Sequence, residues 1–283
     1  MTRGILYIAT KEPYLSEAEQ SARSLREHHP DIPVTIVIGP GLDPDESLFD
    51  TVIIRSNNSH DFEDSLLGPD DLVYDKTLML DSDTYVCHPI DDVFDMLDDF
   101  DLAAAHSASR DGSVSHDHDH DVPDGWPQFN TGVLAYRDND RVRELFTRWR
   151  AVHEEIRELL AANLNQPAFR IATYEWEGRI ATLPPEYNFR PYYGLAYANN
   201  PVRIVHLRDN WVEPAELAEE MNAYTGPRVV TFEDYPCRLI TDEEPAIRNR
   251  VLAGKATWKT TKDGYLPLLK WGVDRVKRTV VHQ

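Results

Sequence analysis

The sequence is short of positive charge, of cysteine and of long apolar runs. Its 29 Lys and Arg face 49 Asp and Glu, which gives a net charge of -20 at pH 7. A surface this negative repels nucleic-acid phosphates, so general DNA or RNA binding is disfavoured. Two cysteines are too few for a disulfide framework and fit a reducing compartment. No stretch reaches the roughly 20 apolar residues of a membrane span, and the N-terminal apolar run is too short for a signal peptide. These absences predict a cytoplasmic protein.

The acidic residues are spread along the whole chain, in runs such as DFEDSLLGPDD, and lysine is scarce. This pattern favours a halophilic protein, because salt screens the repulsion between surface carboxylates. An ordinary acidic enzyme is the alternative. Hydrophobic residues make up 41% and aromatics 10% of the chain, which is enough to bury a substantial core.

Short apolar runs alternate with segments of helical period, which predicts an α/β fold with a mostly parallel sheet flanked by helices. Helices are predicted from about Ser16, where S-E-A-E forms a capping box, to 28, then over 140–163, and from near Asn165. After Trp211 the pattern becomes helical and irregular. The predicted strands are 5–9, 34–38, 51–55, 76–80, 101–106, 129–137, 179–183 and 202–207.

The strand at 76–80 runs directly into Asp81-Ser82-Asp83. Residues i and i+2 of an extended segment point to the same side, so both carboxylates would face one point beyond the strand's end. Ligands of open α/β sheets bind at that end of the strands. Two neighbouring carboxylates repel each other, and a bound divalent cation removes this cost and can hold a diphosphate. Solvated strand-end aspartates are the alternative, because D-x-D also arises by chance in an Asp-rich chain.

Four further segments follow in order along the chain: FNTGV at 129–133, NQPAF at 165–169, LPPEYN at 183–188 and IVH at 204–206. Together with D-x-D, this ordered set resembles the nucleotide-sugar-dependent glycosyltransferases of the GT-A fold. More narrowly, it is similar to their glycogenin-like and lipopolysaccharide galactosyltransferase-like retaining members, over roughly residues 4–211. The resemblance implies a Rossmann-like GT-A catalytic domain at 1–235 and a helical, locally basic C-terminal extension at 236–283.

The resemblance also implies a reaction. A sugar would pass from a nucleotide-diphosphate sugar, with a UDP-sugar favoured, to a hydroxyl of a glycan, lipid-linked or protein acceptor, with retention (a hexosyltransferase). Asp81 and Asp83 would hold a divalent metal, completed by His206. An imidazole beside two carboxylates favours Mn²⁺ over Mg²⁺.

The donor contacts follow from the same resemblance. Ala9 and Thr10 would offer backbone groups to the base, on which Tyr14 would stack. The implied sugar-pocket and diphosphate contacts are Asn130, Thr131, Gly132, Arg208 and Lys76, the last as the only cation near the D-x-D strand. The family carries a carboxylate where this chain has Asn165, and an amide cannot act as a carboxylate nucleophile. Stabilisation of the reacting centre is therefore expected from Gln166 and from the donor phosphate.

Two other functions compete with this interpretation. A haloacid dehalogenase-like phosphatase also places D-x-D after an apolar strand, and Asp81 would then be its nucleophile and Asp83 its acid/base. Here the motif follows three earlier strands, and no later lysine and acidic metal motif follows in order. A catalytically silent nucleotide-sugar-binding protein is the second alternative, and Asn165 supports it.

Two segments remain outside this scheme. His116, His118 and His120 alternate with aspartates, which is typical of a solvated loop that orders on ligand binding, or of a second metal site or acceptor loop. The tail at 255–283 holds seven Lys or Arg and two Asp. It would either dock on the acidic body or make peripheral contact with an anionic membrane at the inner face.

Overall fold

The computed structural model of the protein describes residues 1–56, 62–107, 120–159, 164–191, 195–207, 213–224, 226–231 and 238–241. Its helices are α1 (Glu12–His28), α2 (Asp92–Met96), α3 (Asp140–Ile156), α4 (Gln166–Glu175) and α5 (Pro214–Asn222). Its strands are β1 (Arg3–Ala9), β2 (Val34–Ile38), β3 (Thr51–Ile54), β4 (Lys76–Leu80), β5 (Thr84–Val86), β6 (Leu102–His106), β7 (Phe129–Arg137), β8 (Ile180–Leu183), β9 (Leu195–Ala198), β10 (Ile204–His206), β11 (Arg228–Thr231) and β12 (Arg238–Thr241).

Seven strands form a central sheet in the order β3-β2-β1-β4-β7-β6-β8. All neighbours are parallel except β7, which runs antiparallel to β4 and to β6. One face of the sheet packs on α1 and α2, and the other packs on α3 and α4. Covering both faces explains why the central strands are continuous apolar runs without alternation. The predicted α/β fold with a mostly parallel sheet is confirmed.

Two smaller sheets adjoin the central one. β5 pairs antiparallel with β10, and β9, β11 and β12 form a three-stranded antiparallel sheet. β5, β9, β10, β11 and α5 share a third apolar cluster, in which Met221 and Val205 are fully buried. The prediction of irregular helical structure after Trp211 is wrong for β11 and β12, and β12 adds a strand from within the predicted helical extension. The remainder of that extension, 236–237 and 242–283, lies outside the described residues.

Two helix boundaries differ from the prediction. α1 begins at Glu12 and not at a Ser16 capping box; Pro13 lies in its first turn, where a fixed φ and a missing N–H are tolerated. α3 ends at Ile156 and continues as a 3₁₀ turn to Leu159. The rest of the helix predicted to reach 163 lies outside the described residues.

Candidate metal centre

A tight turn, and not an extended segment, brings the D-x-D carboxylates together. β4 ends at Leu80 and β5 begins at Thr84, and the Thr84 N–H donates to the Asp81 carbonyl at 3.2 Å. The Asp81 N–H donates to the Gly132 carbonyl on β7 at 2.8 Å. The prediction that both carboxylates face one point is right, but the reason given for it, an extended i, i+2 geometry, is wrong.

Buried hydroxyls of α1 fix this turn. The Thr84 hydroxyl donates to the Asp81 carbonyl at 2.8 Å and also bonds the Ser21 hydroxyl at 2.8 Å. Ser21 in turn bonds the Tyr7 hydroxyl at 2.9 Å, and the Val86 N–H donates to Ser24 Oγ at 2.9 Å. Burial raises the pKa of the Tyr7 phenol, so it stays protonated and keeps its place in the network. These serines hold β5 against α1 where an apolar helix face would leave the turn unanchored.

The third ligand candidate reaches the turn from β10. His206 pairs with Thr84 across the two-stranded sheet, and its Nε2 lies 3.2 Å from Asp83 Oδ1 and 3.7 Å from Asp81 Oδ2. One ligand atom from each of the three residues lies within 4.8 Å of the other two. The Asp81 side chain is 33% exposed, whereas Asp83 and His206 are 9% and 4% exposed, so the centre opens on the Asp81 side.

Gly132 gives this centre its space. A Cβ at that position would lie closer than 3.0 Å to His206 Cε1 and to the Asp81 carboxylate, a distance that real Cβ atoms do not adopt. The backbone of Gly132 has no positive φ that would itself require glycine. The absent side chain therefore leaves room at the point where the three ligand atoms converge. Two hard carboxylate oxygens and one imidazole nitrogen suit a divalent cation such as Mn²⁺ or Mg²⁺.

A second polar group lies beside the centre and joins β7, the residue before α4 and the segment that precedes β4. The Thr131 hydroxyl donates to Asn165 Oδ1 at 3.1 Å, and Asn165 Nδ2 donates to Ser65 Oγ at 2.8 Å. The Asn165 carbonyl also accepts from Trp149 Nε1 at 3.0 Å. Asn165 is thus buried and joins three segments of the chain. The amide oxygen of Gln166 is buried and has no hydrogen-bond partner in the described part of the chain.

The predicted base contacts lie at the end of β1. Ala9 is fully buried, and the buried Thr10 donates its hydroxyl proton to Asp64 Oδ2 at 2.5 Å. The Tyr14 ring packs against the core below the sheet end, and the Lys11 ammonium lies 4.5 Å from its centroid. Asp64 and its neighbour Ser65 were not predicted as site residues. Their contacts are with Thr10 and Asn165, and nothing in the local sequence around 64–65 indicates those contacts.

The structure does not bring Lys76 to this site, so that prediction is wrong. Lys76 begins β4, at the end opposite Asp81, and its Nζ donates to the Phe94 carbonyl and to Asp98, both at 2.8 Å. Arg208 lies outside the described residues, as do His116 and His118. The third loop histidine, His120, bonds Glu175 at 3.0 Å and Glu155 at 3.1 Å.

A cavity of about 360 Å³ lies beside the metal centre, at the ends of β6 and β8. Its wall includes Asn188, which contacts His206, together with His106, Phe189, Arg190 and the half-exposed Tyr197. The walls combine apolar and aromatic surface with a few polar groups, which is the usual make-up of a small-molecule site.

Within the described residues, no helix has the length and apolarity that a membrane crossing requires. No protein-family profile and no curated protein sequence matches the chain.

Several solved structures are similar in fold. The bifunctional glycosyltransferase WbbM superposes with a TM-score of 0.53 and 17% identity, over 79% of this chain and 50% of that one. The glycosyltransferase GlyE of Streptococcus pneumoniae gives 0.53 and 20%, over 79% and 61%. The galactosyltransferase LgtC, solved with donor and acceptor sugar analogs, gives 0.50 and 17%, over 77% and 95%. The chain thus spans between half and two thirds of the length of the first two. Identities this low establish shared architecture alone, and that architecture is the GT-A fold of glycosyltransferases.

Proposed function

We propose that the protein is a metal-dependent glycosyltransferase that moves a sugar from a nucleotide-diphosphate sugar to an acceptor hydroxyl. The observation that carries this proposal is the convergence of Asp81, Asp83 and His206 on a space kept open by Gly132. It lies at the carboxyl end of β4, where ligands of open α/β sheets bind. The GT-A fold adds support. A UDP-sugar donor, Mn²⁺ and retention of configuration are the finer parts of the proposal.

A divalent cation bound here would hold the donor diphosphate and stabilise the negative charge that develops on the leaving nucleotide. The chain's own contribution is to hold two carboxylates and an imidazole in place before that ion arrives. The α1 hydroxyl network and the β5–β10 pairing do so without the ion. Pre-organisation of this kind lowers the cost of binding.

The donor would extend from the end of β1 across the sheet to β7. Thr10 and Asp64 form a buried polar pair for the base, and Ala9 shapes the floor through its backbone. Tyr14 would flank the base and Arg208 the diphosphate. Asn130, Thr131 and Gly132 would line the sugar pocket, where a missing side chain permits close approach.

In the family that this chain resembles, one carboxylate lies at the position of Asn165. Here we assign a positioning role to Asn165 and the stabilisation of the reacting centre to Gln166. Asn165 already uses its amide to link Thr131 and Ser65, so it serves to position β7. The buried amide oxygen of Gln166 is the better candidate to stabilise charge at the anomeric carbon, because it accepts no hydrogen bond from any described residue. The acceptor hydroxyl would attack on the face from which the nucleotide leaves.

The cavity beside Asn188 would receive the acceptor. Asn188 lines the cavity and also contacts His206, so the two spaces are one side chain apart. The Tyr197 ring offers an aromatic surface on which the apolar face of a sugar can stack. Loop 107–128 would help to exclude water from the reacting centre.

The division of the chain into a catalytic domain and a C-terminal extension is a further part of the proposal. Residues 1–235 would form the catalytic domain and 236–283 an extension that contains β12. The basic segment 255–283 would make peripheral membrane contact or dock on the acidic body. Pelleting with anionic liposomes, with and without this segment, distinguishes the two.

A thermal-shift screen of UDP- and GDP-sugars with Mn²⁺ or Mg²⁺ in molar KCl tests the function, followed by detection of released nucleotide. We expect a nucleotide sugar to stabilise the protein only with metal, and turnover to require Asp83. Asp83→Asn should abolish donor hydrolysis and transfer with the fold intact. The exposed Asp99→Asn, which makes the same charge change, should leave both unchanged.

Other outcomes would redirect the assignment. Binding without turnover with any acceptor would indicate a silent nucleotide-sugar-binding protein. Stabilisation by phosphomonoesters alone would favour the phosphatase.

A further inference from the structure

Behind His206 lies a line of buried amides that ends on a backbone N–H. His206 Nδ1 lies 2.9 Å from Asn188 Oδ1, and Asn188 Nδ2 donates to Asn130 Oδ1 at 2.7 Å. The same Asn130 oxygen accepts from the Gly132 N–H at 3.1 Å. Asn188 and Asn130 are only 6% and 1% exposed, so water does not compete for these groups.

The direction of every bond in this line follows from its last member. A backbone N–H can only donate, so the Asn130 atom facing Gly132 must be the oxygen. That oxygen requires a donor from Asn188, which must then turn its NH₂ toward Asn130. The Asn188 oxygen is left facing His206 and requires the proton on Nδ1. A neutral His206 ring therefore carries its lone pair on Nε2, the atom nearest Asp83 and Asp81.

We propose that Asn130 and Asn188 are positioning residues that fix the Nδ1–H tautomer of His206 and so aim its Nε2 lone pair at the metal centre. The tautomer is a property of the metal-free protein. Its effect on metal affinity rests on the proposed function.

The nearby carboxylates are the reason that the proton on His206 needs to be held at Nδ1 by this line of amides. Asp83 Oδ1 lies 3.2 Å from Nε2, so without Asn188 the strongest hydrogen-bond acceptor near the ring would draw the proton to Nε2. The nitrogen would then donate to Asp83, and both groups would be occupied before a metal arrived. Loss of a partner that orients a ligating histidine typically weakens metal binding by about 10- to 100-fold.

The tautomer can be read directly by ¹⁵N NMR of histidine-labelled, metal-free protein at a pH where the ring is neutral. His206→Asn identifies the His206 signals. We expect a protonated Nδ1 and a bare Nε2 in the wild type. A protonated Nε2 would overturn the inference without any variant that might fail to fold.

Two variants test the cause. Asn188→Leu has nearly the same volume but no acceptor, so we expect the proton to move to Nε2 and the Mn²⁺ dissociation constant to rise about 10- to 100-fold. Asn188→Asp still accepts from Nδ1–H, so the wild-type tautomer should persist. The exposed Asn199→Leu serves as control and should change neither.

The outcomes separate this inference from the function. An unchanged tautomer in Asn188→Leu would overturn it. A moved proton with wild-type Mn²⁺ affinity would support the tautomer assignment and overturn its role in metal binding. The tautomer assignment is supported if the wild type shows the Nδ1–H tautomer and Asn188→Leu loses it. If the same protein transfers no sugar, the proposed function is removed while the tautomer assignment stands.

Discussion

Replacing Gly132 by alanine would place a methyl group inside the candidate metal centre. The new Cβ would lie 2.9 Å from Asp81 Cγ and closer still to His206 Cε1. Non-bonded carbon atoms settle at about 3.5–4.0 Å, so the side chains would have to retreat by about 0.6 Å or more. Metal sites tolerate ligand displacements of only about 0.2 Å. We therefore expect the Mn²⁺ dissociation constant, measured by isothermal titration calorimetry, to rise by about 10- to 100-fold, as it does when the support of a metal ligand is removed.

The same change should leave the protein folded. Overpacking a well-packed site costs about 1–3 kcal/mol of unfolding free energy, which thermal denaturation can measure. Gly125→Ala is the matched control, because nothing lies within 4 Å of its added Cβ and its φ is not positive. It should bind Mn²⁺ as the wild type does. A folded Gly132→Ala protein with wild-type Mn²⁺ affinity would refute a metal site in this space.

Four more outcomes are expected. Asn165→Ala removes two side-chain hydrogen bonds in a buried site and should lower the free energy of unfolding in urea by about 1–3 kcal/mol; an unchanged value would deny the linking role. Burial raises the pKa of the Cys87 thiol to about 12, so a Cys237→Ser protein should react with a thiol reagent at pH 8 only after unfolding. Tyr197→Ala should raise the KM for acceptor and leave donor hydrolysis intact, and an unchanged KM would place the acceptor elsewhere. Mn²⁺ at about 100 times its dissociation constant should stabilise the wild type by about 2.7 kcal/mol, an effect that EDTA reverses and that Asp83→Asn lacks.

The strands of the central sheet could be predicted because a strand that is buried on both faces is a continuous apolar run, and such a run is visible in the sequence. β2 and β7 match their predicted bounds, since each is a run of residues that the sheet covers. The same local logic failed for α1, where the proline of the first turn outweighed the capping pattern at Ser16. Short strands such as β12 gave no comparable signal.

The candidate site was harder, because its parts meet through contacts between distant segments. Asp81 and Asp83 could be predicted from their place at the end of an apolar strand, whereas His206 was found only through a resemblance. Ser65 and Asn188 act through hydrogen bonds to residues far along the chain, which no window of sequence contains. Lys76 was assigned to the site because it is close to Asp81 in sequence, although the predicted strand 76–80 already puts the two residues at opposite ends of β4.

The pairing of β5 with β10 also sets when the centre can form. His206 follows all seven strands of the central sheet in chain order, so that sheet contains none of the residues of β10. We therefore expect metal to leave the refolding rate of the sheet nearly unchanged, because the third ligand, His206, comes from a strand outside that sheet. It should slow unfolding, since the bound state adds an interaction that the transition state lacks.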